Sequence, residues 1–271
     1  MMKRNENSTR KLVLATVLGF YTVSAAGLIF GDVQCGDVVT GIETMNQDLI
    51  DCSSNPAVTV QGPTGFLFMN GHIIQCDLGD GVGVLLDGMA GFLSGGGEVR
   101  QCTIGVSVGG NGFHTVQEVF TFVNQDASIE IVSDYNSIRL NELQNSLFNG
   151  VNVLGDNNTI IDNALFNFGG IGIYVNGDGT FISGNSIDIN GGDMGISLDA
   201  TNGSRIIQNE ITNADDGISM TASGQMNNVV SGNVVSGSSN LDLWDQNANA
   251  CTSTNSWVGN AFTTADPVCI D

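Results

Sequence analysis

Basic residues are nearly missing from this chain. Seven Lys and Arg stand against 28 Asp and Glu, a formal net charge of −21 over 271 residues. Four of the seven lie before residue 12, so without the first 30 residues three arginines face 27 acids, a net of −24. Such a surface repels nucleic acid and polyanionic glycans unless cations intervene, and no nucleic-acid partner is expected. Histidine is also scarce, with only His72 and His114, and no CxxC pair occurs. A His/Cys metal centre therefore has little to be built from.

What the chain has instead is a repeat. Val84, Val106, Ile129, Val151, Ile173, Ile196, Ile218 and Leu241 recur every 22 or 23 positions, and every member is aliphatic. Two residues further on runs a second apolar column, Leu86, Val108, Ile131, Val153, Val175, Leu198, Met220 and Leu243. The residue between is mostly polar, which is one in-out-in strand per repeat. Gly precedes the strand at 83, 105, 150, 172, 195 and 217, with Ser128 and Asn240 as exceptions, and a sharp backbone bend is expected there. Further columns run through Ile138, Ile160 and Ile182 and through Leu143, Leu165 and Ile187. Three β segments per coil of about 22 residues, stacked about 4.8 Å apart as parallel sheets, is the economical reading. Asn141, Asn163, Asn185, Asn209 and Asn233 each stand two residues before a core aliphatic. Such a column can hydrogen-bond backbone groups of its own coil and the next.

MNGHIIQC at 69–76, with GNSIDINGGDMGISL at 184–198 and QNEITNADDGISM at 208–220, resembles the right-handed parallel β-helix proteins of the pectin-lyase-like superfamily, in its NosD-like branch of secreted repeat proteins. The resemblance covers about residues 35–271 and implies an all-β solenoid. It says little of activity, because lyases, hydrolases, epimerases, adhesins and scaffolds share that architecture. The GHG and RIK motifs of its hydrolases and the DPH-type motif of its epimerases are absent.

The expected organisation is a leader at 1–30 and a single β-helix domain at 31–271. Within it, 35–75 holds an N-terminal cap and first coil, 76–247 the regular coils and 248–271 a C-terminal cap. Lys3, Arg4, Arg10 and Lys11 precede the uncharged stretch Leu12 to Gly31. This reads as a secretory signal with small residues up to Ala26, and an uncleaved membrane anchor is the alternative. Either places the solenoid outside the cytosol, secreted or held at a surface. Six cysteines fit that route. Cys35 with Cys52 and Cys251 with Cys269 are expected to staple the ends, while Cys76 and Cys102, about one coil apart, are either a third disulfide or two buried thiols. Asn157 and Asn202 head glycosylation sequons.

For chemistry, Asp134, Asp156 and Asp178 form an acidic column of period 22. Stacked about 5 Å apart, the carboxylates repel, and calcium would relieve them; good turn-starting residues are the plainer reading. Arg139 faces outward five residues after Asp134 and is the candidate catalytic base of a polysaccharide lyase. Met194, Met220 and Met226 are too scattered for a copper site, and Trp244 and Trp257 are expected to cover the last coil. The function expected is a non-enzymatic scaffold, adhesive or carbohydrate-binding module facing an extracellular polysaccharide or surface partner. The alternative is a lyase, epimerase or hydrolase of uronate glycans using calcium.

Overall fold

The computed structural model describes residues 32–77, 79–247 and 254–270. The leader at 1–30 and Cys251 therefore lie outside the described residues. Among the described residues no helix is long and apolar enough to cross a membrane. Three parallel sheets run the length of a solenoid: sheet A with 11 strands, sheet B with ten and sheet C with nine. Each coil contributes one strand to each sheet in turn, as in Ser137–Arg139 of sheet B, Glu142–Gln144 of sheet C and Asn149–Val153 of sheet A.

The aliphatic columns are the core. Val84, Val106, Ile129, Val151, Ile173, Ile196 and Ile218 pair in that order along sheet A, and all are fully buried. The last step departs from the sequence expectation. Ile218 pairs with Leu243 and not Leu241, and Met220 pairs with Asp245. The turn from Met220 to Val229 is two residues longer than its counterpart from Leu198 to Arg205, and the turn from Ser236 to Leu241 is one longer than that from Thr212 to Asp216; together they shift the strand, and Asn240 in the second turn bonds the Asp216 carboxylate at 2.7 Å.

The glycine column also has a different cause from the one expected. These glycines lie inside the strands at ordinary negative φ. A Cβ on Gly172 would come within 2.6 Å of the Gly195 carbonyl oxygen and 2.8 Å of the Ile187 side chain. Close approach of the next coil, and not a bend, excludes larger residues. After the register shift the two non-glycine positions are Ser128 and, in place of Asn240, Asp242, polar groups turned inward to a partner. Ser128 bonds Ser146 at 2.7 Å, and Asp242 accepts the Thr263 and Thr264 N–H groups at 2.7 and 3.1 Å.

The Asn column forms as expected and runs one rung further, to Asn260. Each Oδ1 accepts the N–H of the residue one coil before it, from Val119 to Asn141 at 3.0 Å through Asn233 to Asn260 at 3.0 Å. The Nδ2 of Asn163 donates to Ile138 O at 3.0 Å and to Asn185 Oδ1 at 3.0 Å. A second buried ladder lies at the A-to-B corner, through His114, Asn136, Asn158, Thr180, Ser204 and Asn228. Its mixed residue types hide it in the sequence. His114 substitutes for asparagine here: Nδ1 accepts the Gly91 N–H at 2.8 Å, and Nε2–H donates to Gly109 O at 2.9 Å. Burial holds its pKa below the usual value, outweighing those bonds and the nearby Asp87.

Coils begin earlier than the sequence implied. Asp37–Val39, Ile42–Thr44 and Leu49–Cys52 already form one, and Val58–Gln61, Phe66–Phe68 and Ile73–Cys76 a second. Cys35 is bonded to Cys52 and Cys76 to Cys102. Cys52 and Cys76 are register partners, so these bridges staple successive rungs at the N-terminal end. Cys269 is also disulfide-bonded. Disulfides of this kind belong to an oxidising compartment. At the other end Trp257 is buried and donates Nε1–H to Asp245 at 3.1 Å. Trp244 instead pairs with Ser219 in the outward column of sheet A, so only one of the two tryptophans closes the core.

Two outcomes test the ladders. Asn163→Leu strands the Asn141 N–H and the Ile138 carbonyl and is expected to cost about 1–3 kcal/mol, read as a fall in Tm, whereas Asn111→Leu at an exposed position changes it little. Burial makes His114 take up its proton in the folded chain at a pH lower than the ordinary 6.5. Its contribution is therefore complete above that value and is lost as pH drops through it. His114→Asn is expected to fold and to flatten the part of the Tm–pH profile lying just below 6.5, relative to the parent.

Candidate functional site

The A-to-B corner gathers the side chains singled out by charge and period. Asp134, Asp156 and Asp178 are exposed on successive rungs. Asp134 Oδ1 accepts the Asp156 N–H at 2.7 Å, Asp156 Oδ1 the Asp178 N–H at 2.8 Å, and Asp178 Oδ1 the Asn202 N–H at 2.7 Å. The column thus satisfies corner donors that parallel coils leave open, and each carboxylate lies against the positive end of an N–H dipole. Among the described residues no group of three or more His, Cys, Asp or Glu side chains is placed to hold a metal ion.

One residue after each acid, the chain takes a left-handed conformation: φ is 59° at Tyr135 and 56° at Asn157, and 61° at Phe113 one rung before. Asn and Gly are at home there, but a bulky aromatic is not. Phe113 and Tyr135 stack with ring centroids 5.1 Å apart and an interplanar angle of 9°. Both rings are about half exposed, at 54% and 53%. The sequence carried one signal of this pair, the spacing of 22 between two aromatics that lie outside the strand columns. The sequon asparagines differ. Asn157 is exposed, with no side-chain bond among the described residues. Asn202 accepts the Met226 N–H at 2.9 Å and donates to Asp178 at 3.3 Å.

The cations do not converge. Arg139 is exposed on sheet B, between Gln117 and Ile161 of the adjoining rungs, and it has no hydrogen bond or ion pair among the described residues. Arg205 faces outward from the same sheet three rungs away and lies over the Phe181 ring, 5.7 Å from its centroid. The two share a face, but the rungs keep them apart. Arg100 bonds Gln75 at 2.8 Å and pairs with Glu98 at 3.4 Å. His72 Nδ1 lies 3.0 Å from Asp48, whose carboxyl is held below its usual pKa first by the Ile73 N–H and then by His72.

On the outer face of sheet A, Tyr174 donates to Asp199 at 2.8 Å, and burial pushes its phenol pKa up. Glu130 is raised by burial and by Asp126. Asp216 is raised by burial against its bonds from Asn240 and Leu241. Asp216 aligns with Met194 of the preceding rung. Phe166 and Phe181 sit on outer strand faces, and Phe168 is the ring that fills the tube. At the C-to-A corner, Asn145, Asn167 and Asn190 stack along an open groove of about 450 Å³ with Leu147 and Phe168.

Because an asparagine Oδ1 accepts the same N–H, Asp156→Asn is expected to leave Tm unchanged, with and without added Ca²⁺. A calcium-dependent rise in the parent that the variant lacks would instead identify the column as a cation site.

No curated protein matches the chain. A family model described as the right handed beta helix region matches residues 104–262, more than half of the sequence. With three parallel sheets wound coil upon coil, the chain belongs to the right-handed β-helix family.

Proposed function

We propose that this protein is a non-catalytic, carbohydrate-binding β-helix working outside the cytosol, a secreted or surface-held scaffold related to the NosD-like pectin-lyase-like proteins. The observation that carries the reading is the isolation of Arg139. A lyase needs a base beside a device that neutralises the uronate carboxylate. Arg139 stands alone on sheet B, while Arg205 is occupied by Phe181. What the surface offers in quantity is columns of Asn and Asp at the corners, planar polar groups suited to sugar hydroxyls. The disulfides favour the extracellular placement.

Incubation of the purified chain with uronate polymers, with and without Ca²⁺, tests this by ultraviolet absorbance of unsaturated products. The expected outcome is no product above the buffer blank, with Arg139→Ala indistinguishable from the parent. Product formation that Arg139→Ala removes would establish the enzymatic alternative, a lyase acting on acidic glycans.

A further inference from the structure

We infer that the corner ridge of Phe113, Tyr135 and Asn157 is a glycan contact, and that its ligand is a neutral polysaccharide; the inference rests on the carbohydrate-binding reading above. Equivalent corner positions on later rungs are Gly179, Gly203 and Asn227, the residue types that left-handed φ favours. Phe113 and Tyr135 depart from that pattern. They adopt φ of 61° and 59° with half of each ring in solvent, and the core beneath them is filled by the buried His114 and Asn136. Two half-exposed rings on backbone that disfavours bulky side chains are what a ligand contact would use.

The ridge combines the features that sugar recognition requires. The stacked rings offer apolar faces to the C–H face of a pyranose. The rung before Phe113 carries only the Ala90 methyl, at φ 60°, so no large side chain covers that end of the stack. The rung after Tyr135 carries the Asn157 amide, free to bond hydroxyls. Beside it run Asp134 and Asp156. Each uses Oδ1 for the backbone, and neither Oδ2 has a hydrogen bond among the described residues. Coils repeat about every 4.8 Å, close to the 5.1 Å of the ring pair, so a chain lying along the axis meets a ring, an amide and carboxylates in succession. The charge decides the ligand class. Three exposed carboxylates on a chain of net charge −21 repel uronates and sulfated polymers and leave neutral, hydroxyl-rich glycans.

Affinity electrophoresis through gels containing hydroxyethyl cellulose, laminarin or glucomannan tests this, with polygalacturonate as the anionic control. At least one neutral polymer is expected to retard the parent chain, and polygalacturonate is not. Phe113→Ala and Tyr135→Asn are each expected to weaken retardation about fivefold, while Phe166→Ala does not. Tyr135→Asn installs the residue found at the next rung and is expected to melt no lower than the parent. Full retardation of both ridge variants overturns the assignment but leaves carbohydrate binding standing. A lower Tm for Tyr135→Asn makes the pair structural and also overturns it. Failure of every neutral polymer to retard the parent removes both readings.

Discussion

Hydrogen bonding between coils is the constraint from which the rest of this structure follows. In a parallel solenoid no coil satisfies its own backbone; each strand and each corner pairs with the coil before and the coil after. Strands do this through the sheet ladder. Corners do so only in part, as where the Tyr135 N–H meets the Asp156 carbonyl at 3.1 Å, so a side chain supplies the remaining acceptor at the same place on every rung. Asn141 to Asn260 do so at one corner, and the mixed series from His114 to Asn228 does so at another. His114 shows how far the requirement reaches: a ring nitrogen replaces an amide oxygen, and burial keeps the imidazole neutral for the purpose.

The same constraint accounts for the placement of charge. A chain with this excess of acid has to put carboxylates close together, and stacking places identical positions about 4.8 Å apart. Asp134, Asp156 and Asp178 tolerate that spacing because each is bonded to the backbone of the next rung. Their second oxygens remain outward, which makes the corner negative and polar along its length. A surface of that kind discriminates by charge before it discriminates by shape.

The ends require different solutions, because the repeat has no next rung there. At the N-terminal end, bonds from Cys35 to Cys52 and from Cys76 to Cys102 hold the first coils in place. At the C-terminal end, Asp242 occupies the glycine position and captures two backbone N–H groups, with Trp257 covering the core. Burial pushes the Asp242 carboxyl up, but its surroundings, the Thr263 and Thr264 N–H groups among them, outweigh that and hold it below the usual carboxylate range. Aliphatic columns build the body, and specific polar and covalent contacts close it.

Sequence alone determined the parallel three-sheet solenoid, the inward columns and the Asn141 to Asn233 ladder, because stacking forces the same residue type onto the same place each turn and so writes a period into the chain. It also marked the acidic corner and Arg139. It did not determine what those groups meet. The shift that puts Leu243 and not Leu241 beneath Ile218 arises in the two turns before that strand, where insertion leaves no periodic trace. The pairing of Cys76 with Cys102 depended on the rung geometry, and the steric cause of the glycine column on the approach of the next carbonyl. The Phe113 and Tyr135 stack was decided by tertiary structure in the fullest sense. Two residues 22 apart become neighbours only when one coil lies on the next, and only the corner's left-handed backbone turns both rings into solvent.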